Sequence, residues 1–290
     1  MTSEKKVKFT PIFSLQEVAK NKMSNYKYKI VVISGKGGVG KSFISSMLAL
    51  GIAMRGRKVT VFDADLHGSS VPLLLGVQGK KHYANESGEI LPVDGPLGLK
   101  IVAINLMLES PDTPVMWRGP LVARAIVELA AKVAWGEGEY LIIDMPPGTG
   151  DVPLTVAQTI PLITGGILVT APNTLSETIV AKAANFATSA GIKLLGVIEN
   201  MSYFKCSYCG KITNIMGGYS GERLVAKYNT QLLGKIPIDP EVNEAIEQGK
   251  PYMLNKRDGE AARAISSIVD KVINLVENKY NWSNESGPKV

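Results

Sequence analysis

Residues 30–42 read IVVISGKGGVGKS, an apolar, β-branched run that opens into a glycine-rich loop. Residues 35–42 match the spacing G-x-x-x-x-G-K-[ST]. A buried strand would hold such a loop rigid, and its glycines would let successive N–H groups converge on phosphate oxygens. The stretch therefore predicts a strand, a phosphate-binding loop and a helix, in the order that begins an α/β nucleotide-binding domain.

Each part of this loop has a predicted role. The helix, expected over residues 41–55, would aim the positive end of its dipole at the phosphates. Lys41 would add a cation for the β and γ oxygens of ATP, and Ser42 would offer a hydroxyl to Mg²⁺. The residues predicted to bind the phosphates are Gly35, Lys36, Gly37, Gly38, Val39, Gly40, Lys41 and Ser42.

Lys36 is a cation that the minimal phosphate loop does not require. One interpretation is a solvated loop lysine. The other is a lysine that reaches across a dimer to the nucleotide of the partner. The residues alone leave both open.

The loop GKGGVGKS resembles the deviant Walker A form of the MinD/ParA/nitrogenase-iron-protein class of P-loop ATPases, whose extra lysine acts between subunits. This resemblance implies a nucleotide-dependent homodimer. It also implies a three-layer α/β fold with a mostly parallel, doubly wound sheet flanked by helices.

Length and charge give a simple domain organisation. The 290 residues are 45% hydrophobic, and we expect residues 28–279 to form a single P-loop ATPase domain. The net charge is +6. Residues 1–30 carry +5 of it. Residues 1–27 are expected to be a basic, partly mobile leader, and residues 280–290 are expected to be a tail. Because the basic charge is confined to the leader, we expect no nucleic-acid partner.

We also expect no membrane partner. The first residues are polar and no apolar segment typical of a signal peptide follows, which favours a cytoplasmic protein. Residues 152–176 contain no charged residue, but Pro153, Pro161 and Pro172 interrupt them. A buried helix followed by a core strand is the better interpretation.

Three aspartates follow predicted strands, at the edge where α/β sheets bind ligands. Asp63 and Asp65 follow the strand predicted over residues 58–62. Asp144 follows the strand over residues 140–143 and precedes MPPGTGD, which has the form of a Walker B carboxylate with a γ-phosphate-sensing loop. We expect Asp144 to hold Mg²⁺. The class resemblance implies that Asp65 orients the attacking water and that Asp63 supports the magnesium shell, although their order could be reversed.

Three further residues are candidates for contact with the adenine base. Asn200 follows the strand predicted over residues 194–198, and the resemblance places an adenine contact there; turn chemistry is the alternative. The resemblance also implies that the loop containing Pro237 and Asp239 packs against the base. Asp239 stands before Pro240, so a helix N-cap is an equally good interpretation.

Cys206 and Cys209 are the only cysteines and have the C-x₂-C spacing of metal sites. Structural zinc and iron–sulfur clusters usually need four ligands, so one chain supplies half a site. The simplest completion is a second copy of the chain, which agrees with the dimer interpretation of Lys36. A redox or incidental pair is the alternative.

The sequence is similar to the Mrp/ApbC branch of the class over residues 27–278. The similarity lies in DADLHGSSVP at residues 63–72, WRGP at residues 117–120, and NMSYF just before the cysteines, with Ser69 and Ser207 standing where that branch commonly has proline. It implies a slowly hydrolysing ATPase homodimer whose Cys206 and Cys209 bridge a [4Fe–4S] cluster. The cluster would come from an upstream scaffold and pass to apoproteins.

Two alternatives remain. A ParA/MinD-like positioning ATPase would need a basic DNA-binding face or a basic terminal helix, and neither occurs outside the leader. A zinc-stabilised ATPase without cluster transfer is also open, because thiolates bind both metals.

Overall fold

The computed structural model describes residues 11–66, 68–108, 117, 119–172, 174–217 and 220–285, with only the backbone path for residues 174–178 and 279–285. The strands are β1 (Tyr28–Ser34), β2 (Val59–Asp63), β3 (Val93–Asp94), β4 (Lys100–Ala103), β5 (Tyr140–Asp144), β6 (Gly165–Thr170), β7 (Leu194–Glu199), β8 (Phe204–Lys205), β9 (Ile212–Thr213) and β10 (Leu232–Lys235). The helices are α1 (Ile12–Met23), α2 (Lys41–Ala53), α3 (Val71–Leu74), α4 (Gly119–Lys132), α5 (Asp151–Thr159), α6 (Thr174–Ser189), α7 (Ser220–Tyr228), α8 (Pro240–Glu247), α9 (Tyr252–Asn255) and α10 (Glu260–Glu285), with 3₁₀ turns at Pro96–Gly98 and Ile104–Met107.

Within the described residues, eight strands form one sheet in the order β10-β7-β6-β1-β5-β2-β4-β3. All neighbouring pairs are parallel except the short edge pair of β3 and β4. The register places Asp144 directly beside Val32 of β1 and beside Asp63 of β2. The predicted fold, a mostly parallel sheet covered by helices on both sides, is confirmed.

Strand β1 shows how the layers are built. Ile30 and Val32 face a core shared with α2 and α10, while Val31 and Ile33 face a second core shared with α1, α4, α5 and α6. A strand buried on both faces reads as a continuous apolar run, which is what the sequence shows here. The phosphate loop therefore starts from the centre of the sheet, held on both sides.

Helix α1 differs from the partly mobile leader that the sequence suggested for residues 1–27. It packs against α4 and α5, and Ala19 and Met23 are fully buried. Lys22 donates to Glu89 at 2.6 Å, and the Tyr26 hydroxyl contacts Thr60 and donates to the carbonyl of Trp135. Two of the lysines that suggested a leader lie on α1. The buried face of this helix carries apolar residues four positions apart, Ala19 and Met23. Residues 1–10 lie outside the described residues.

Two other expectations concern helix lengths. The uncharged stretch 152–176 contains α5 followed by the buried strand β6, as expected. No helix in the described part of the chain is long and apolar enough to span a membrane. Helix α10 continues past residue 279 to Glu285, so the predicted tail begins as helix, and residues 286–290 lie outside the description.

Candidate functional site

The phosphate loop joins β1 to α2 and is shaped by left-handed glycines. Gly38 has φ of 80° and Gly40 has φ of 82°. Residues other than glycine rarely adopt this left-handed conformation. Gly40 is the N-cap of α2, and no side chain caps the helix there. The first N–H groups of the helix therefore have no side-chain acceptor in the described residues, as in an anion-binding site.

Two other glycine requirements come from packing. A Cβ on Gly35 would lie 2.6 Å from the backbone carbonyl oxygen of Ile179 in α6. A Cβ on Gly40 would collide with the side-chain amide of Asn200. The loop is thus enclosed by α6 and by the residue after β7, which limits its freedom to move.

Lys41 lies at the centre of a buried charge cluster. Its side chain is 6% exposed, and its Nζ lies 2.8 Å from Asp144 Oδ1 and 3.5 Å from Asp65 Oδ2. A buried cation between two carboxylates is compensated in charge and fixed in position. It can reach a phosphate only by exchanging these partners for phosphate oxygens.

Asp144 is fully buried and accepts hydrogen bonds from two serines of α2. Ser42 Oγ donates to Oδ2 at 2.5 Å, and Ser45 Oγ lies 2.7 Å from Oδ1. A carboxylate with an adjacent hydroxyl is the hard-oxygen donor set that Mg²⁺ prefers when phosphate oxygens complete its shell. Ser42 and Asp144 therefore fit a magnesium ion.

Asp63 and Asp65 have different surroundings. Asp63 accepts from Ser69 Oγ at 2.7 Å and from the Asp65 N–H at 3.0 Å. Burial, together with the nearby charge of Asp144, raises the pKa of Asp63 to about 7. Asp65 instead lines the cavity in front of the loop and accepts from the Gly68 N–H at 3.1 Å. The geometry leaves Asp65 as the carboxylate that faces a ligand.

The cavity in front of the phosphate loop has a volume of about 520 Å³. This lies within the range of about 300–1,000 Å³ that is typical of small-ligand sites. Lys36, Lys41, Ser42 and Asp65 line its polar side. Its apolar lining residues are Phe43, Leu73, Leu74, Pro147 and Ile246. The half-exposed Lys36 is at the solvent side of the loop, so it is accessible from outside the chain.

The three candidate adenine contacts do not line this cavity. The Asn200 side chain is buried and donates to the carbonyl of Val39 at 3.0 Å, and Pro237 is buried beyond the end of β10. Asp239 caps α8, accepting from the Glu241 N–H at 3.0 Å and from the Tyr252 hydroxyl at 2.6 Å. The alternative role of Asp239 as an N-cap is therefore the one that the structure contains.

The cysteines lie on a small hairpin formed by β8 and β9. The Cys206 N–H donates to the Lys211 carbonyl at 3.0 Å, and the Gly210 N–H donates to the Cys206 carbonyl at 2.9 Å. Gly210 has φ of 71°, which allows the tight turn after Cys209. The hairpin thus presents two thiols on one turn, with Cys209 exposed.

Hydrogen bonds within the hairpin stabilise the thiolate form of Cys206. The N–H groups of Cys209 and Tyr208 donate to the Cys206 sulfur, and together with the Cys209 side chain they lower the pKa of the Cys206 thiol. In the described part of the chain, no group of three or more His, Cys, Asp or Glu residues could hold a metal ion. Cys206 and Cys209 are therefore half of a metal site at most within one chain.

A short segment connects the hairpin to the phosphate loop. Asn200, which contacts the loop, lies six positions before Cys206. Between them, Ser202 Oγ donates to the buried Glu199 at 2.5 Å and the Ser202 N–H donates to the Ile236 carbonyl at 2.8 Å. The two regions are thus joined through backbone that is hydrogen-bonded on both sides.

Ser45 and Ser69 contribute to the site but were not predicted from sequence. Ser45 follows Ser42 by three positions, and residues at that spacing share a helix face, so the spacing could have indicated a second contact to Asp144. In the sequence, Ser69 stands out only as a departure from a proline pattern. Its contact with Asp63 depends on the turn after β2, for which the sequence has no clear signal.

The chain matches the family described as "ParA: NUBPL iron-transfer P-loop NTPase" over residues 25–273. It is 49% identical over 257 residues to the iron-sulfur cluster carrier protein of Saccharolobus solfataricus, covering 89% of this chain and 86% of the relative. It is 36% identical over 256 residues to the cytosolic Fe-S cluster assembly factor NUBP2 of Bos taurus, covering 87% and 94%.

A solved structure is similar as well. The nucleotide-binding protein of Archaeoglobus fulgidus, in complex with ADP and with Co, superposes with a TM-score of 0.73 at 35% identity, covering 84% of this chain and 94% of that one.

Proposed function

This chain belongs to the ParA family of iron-transfer P-loop NTPases, and we propose that it is a homodimeric, ATP-hydrolysing carrier that binds an iron–sulfur cluster and passes it to apoproteins. One observation carries the proposal. The same chain combines a phosphate loop whose Lys41 and Ser42 contact Asp144 with a hairpin that carries two cysteines, half of the ligands of a metal site.

For ATP, the chain would use three kinds of group. The N–H groups of the loop and of the first turn of α2 bind phosphate oxygens, and Lys41 moves from Asp144 to the β and γ oxygens. Asp65 orients the attacking water from the cavity wall. Ser42 and Asp144 would hold Mg²⁺, which neutralises phosphate charge when bound.

Lys36 would act on the nucleotide of the partner. It is half-exposed at the mouth of the cavity, while Lys41 already supplies the buried cation of its own site. A second cation from another chain can neutralise charge that develops in the transition state. The dimer would therefore be needed for hydrolysis.

The cluster would lie between two hairpins. Cys206 and Cys209 of each chain supply two thiolates, so two chains supply the four that a [4Fe–4S] cluster requires. Exposed apolar side chains surround the turn and would be covered by the second chain; they are Tyr208 (99% exposed), Ile212, Ile215 and Met216. Zinc is the competing cargo, because it also binds four thiolates.

Hydrolysis would act as a switch. Pro147, in the loop after Asp144, lines the nucleotide cavity, and Gly148 has φ of 92° and donates to the Ser34 carbonyl at 3.4 Å. A loop of this kind can have one arrangement with γ-phosphate and another without it. Movement of the loop would then change how the chains meet and would open the cluster site to an apoprotein. The cytosol is the proposed compartment, as for the relative named a cytosolic assembly factor.

Anaerobic reconstitution with iron and sulfide tests the proposal. We expect the visible charge-transfer absorbance of an iron–sulfur cluster, about two irons per chain and a dimer in light scattering, since four thiolates hold one [4Fe–4S] cluster. The variant Cys206→Ser with Cys209→Ser should bind no cluster and stay folded. Ser207→Ala, between the two cysteines, is the matched control and should load like the wild type.

The second stage adds an apo-ferredoxin acceptor and follows its recovery of cluster absorbance with and without ATP. Recovery that ATP changes supports the carrier. If the reconstituted protein holds zinc and no iron, or if the double serine variant binds as much iron as the wild type, the carrier function is wrong.

A further inference from the structure

A second cavity lies at the edge of the sheet opposite the phosphate loop. It has a volume of about 420 Å³, and residues at the amino ends of β1, β6 and β7 and on α10 line it. Its basic lining residues are Lys27, Lys29 and Lys193. No carboxylate-bearing side chain lines it within the part of the chain that the structure describes. The cavity therefore has positive charge without an acidic wall.

Lys29 is the unusual member of this lining. It is only 3% exposed, and its Nζ donates to the backbone carbonyl of Tyr26 at 2.6 Å. Burial lowers the pKa of the Lys29 ammonium, and no described carboxylate offsets this effect. An ammonium group carries three N–H donors, and a buried cation is normally paired with a carboxylate. Lys29 is thus a buried cation whose charge is not compensated by a carboxylate in the described residues.

The rest of the lining is apolar. Leu195 of β7 and Leu275 of α10 line the cavity together with Leu162, which lies in the loop between α5 and β6. Leu162 has φ of 46°, an uncommon backbone conformation for a non-glycine residue, and is 88% exposed. An apolar side chain is therefore held at the mouth of the cavity in a strained turn, where an apolar ligand could cover it.

We propose that this cavity binds a small organic anion that has an apolar body. Its carboxylate or phosphate would lie at Lys29 and Lys193, and its apolar part would lie against Leu195, Leu275 and Leu162. The volume suits a single small molecule. The site is separate from the nucleotide cavity, with which it shares no lining residue, and the proposal does not rest on cluster binding.

The test is calorimetric titration of the full chain, with and without saturating ADP, using decanoate below its micellar concentration. We expect saturable binding of one decanoate per chain. The neutral isostere 1-decanol and inorganic phosphate should each bind at least about tenfold more weakly, because one lacks the charge and the other lacks the apolar body.

Lys29→Met should weaken decanoate binding at least about tenfold, since a charge-assisted contact is lost. Lys250→Met, an exposed lysine remote from this lining, is the charge-matched control and should change nothing. If Lys29→Met does not fold, Lys193→Met, whose side chain is exposed at the rim, should show the same loss.

Four outcomes would each overturn the proposal: no saturable decanoate binding, equal affinity for decanol or phosphate, undiminished affinity in Lys29→Met or Lys193→Met, or decanoate binding that ADP abolishes. The last would place the anion in the phosphate loop.

Discussion

The short segment from Asn200 to Cys206 links the phosphate loop, which Asn200 contacts, to the cysteine hairpin, yet the two regions differ in burial. Asp144 is fully buried and has a hydroxyl or ammonium partner on both carboxylate oxygens, whereas Tyr208, between the cysteines, is 99% exposed. Burial and a neighbouring carboxylate raise the pKa of Asp63, while N–H donors lower the pKa of the Cys206 thiol. One region satisfies its polar groups within the chain, and the other leaves its turn exposed to solvent.

Lys36→Ala should have the largest effect, on the rate of ATP hydrolysis, and it tests whether the phosphate site is complete within one chain. If hydrolysis needs the partner's lysine, the phosphate site is incomplete in one chain just as the metal site is. We expect the ATP hydrolysis rate to fall about a thousandfold or more, with nucleotide binding retained, because a cation supplied in trans stabilises the transition state.

Complementation distinguishes a trans effect from a local one. Lys36→Ala and Lys41→Ala should each be inactive alone, but mixing them should restore hydrolysis, because a mixed dimer contains one site with both lysines intact. Lys250→Ala is the control for a lost surface charge. A mixture that stays inactive, or a fully active Lys36→Ala, contradicts the trans role.

Asn200→Ala tests the contact by which the segment before the cysteine hairpin holds the phosphate loop. It removes the donor to the buried Val39 carbonyl, and we expect the free energy of unfolding to fall by about 1–3 kcal/mol. Urea titration measures this loss. Asn214→Ala, at an exposed position beside the hairpin, should change stability by less than about 0.5 kcal/mol. Equal losses in the two variants would show that Asn200 does not stabilise the loop.

Asp63→Asn tests the raised pKa of this buried carboxyl group through the pH dependence of stability. The folded-state pKa of about 7 is above the usual value of 3.8, so between these values the folded chain holds a proton that the unfolded chain has lost. The contribution of Asp63 to stability therefore decreases as pH rises through this window, by up to about 1.4 kcal/mol per pH unit.

The asparagine variant should lack this decrease. Urea titrations in EDTA from pH 5 to pH 8 should show Asp63→Asn gaining stability over the wild type as pH rises. The exposed carboxylate of Asp94 provides a control, and Asp94→Asn should follow the wild-type pH dependence. Parallel pH curves for Asp63→Asn and the wild type would contradict the raised pKa.

Tyr208→Ser should have the smallest effect on the fold and tests the exposed side. Because the side chain is almost fully exposed, we expect stability of the cluster-free chain to change by less than about 0.5 kcal/mol. If a second chain covers the hairpin, the cluster-loaded dimer should dissociate at higher dilution than the wild type. Tyr83→Ser, a second exposed tyrosine, should affect neither property. A loaded dimer of unchanged stability would place the contact elsewhere.

The sequence predicted the parts of the site that are local along the chain. The strand, the loop and the helix at residues 30–42 are consecutive, and their spacing alone indicates phosphate binding. Asp144 follows an apolar strand, and the cysteine pair indicates half a metal site because two thiolates are fewer than four. These conclusions depend on residue type and on distances along the chain, which are visible without coordinates.

Tertiary structure decided the rest. The periodic apolar face of α1 was masked by its lysines, the reason for glycine at position 35 is the approach of α6, and the partner of Asn200 is a carbonyl more than 150 residues earlier in the chain. The uncompensated charge of Lys29 was likewise invisible in the sequence, since burial depends on which elements pack together. Local chemistry depends on residues that are neighbours in the sequence, whereas contacts and burial depend on segments that come together only in the folded chain.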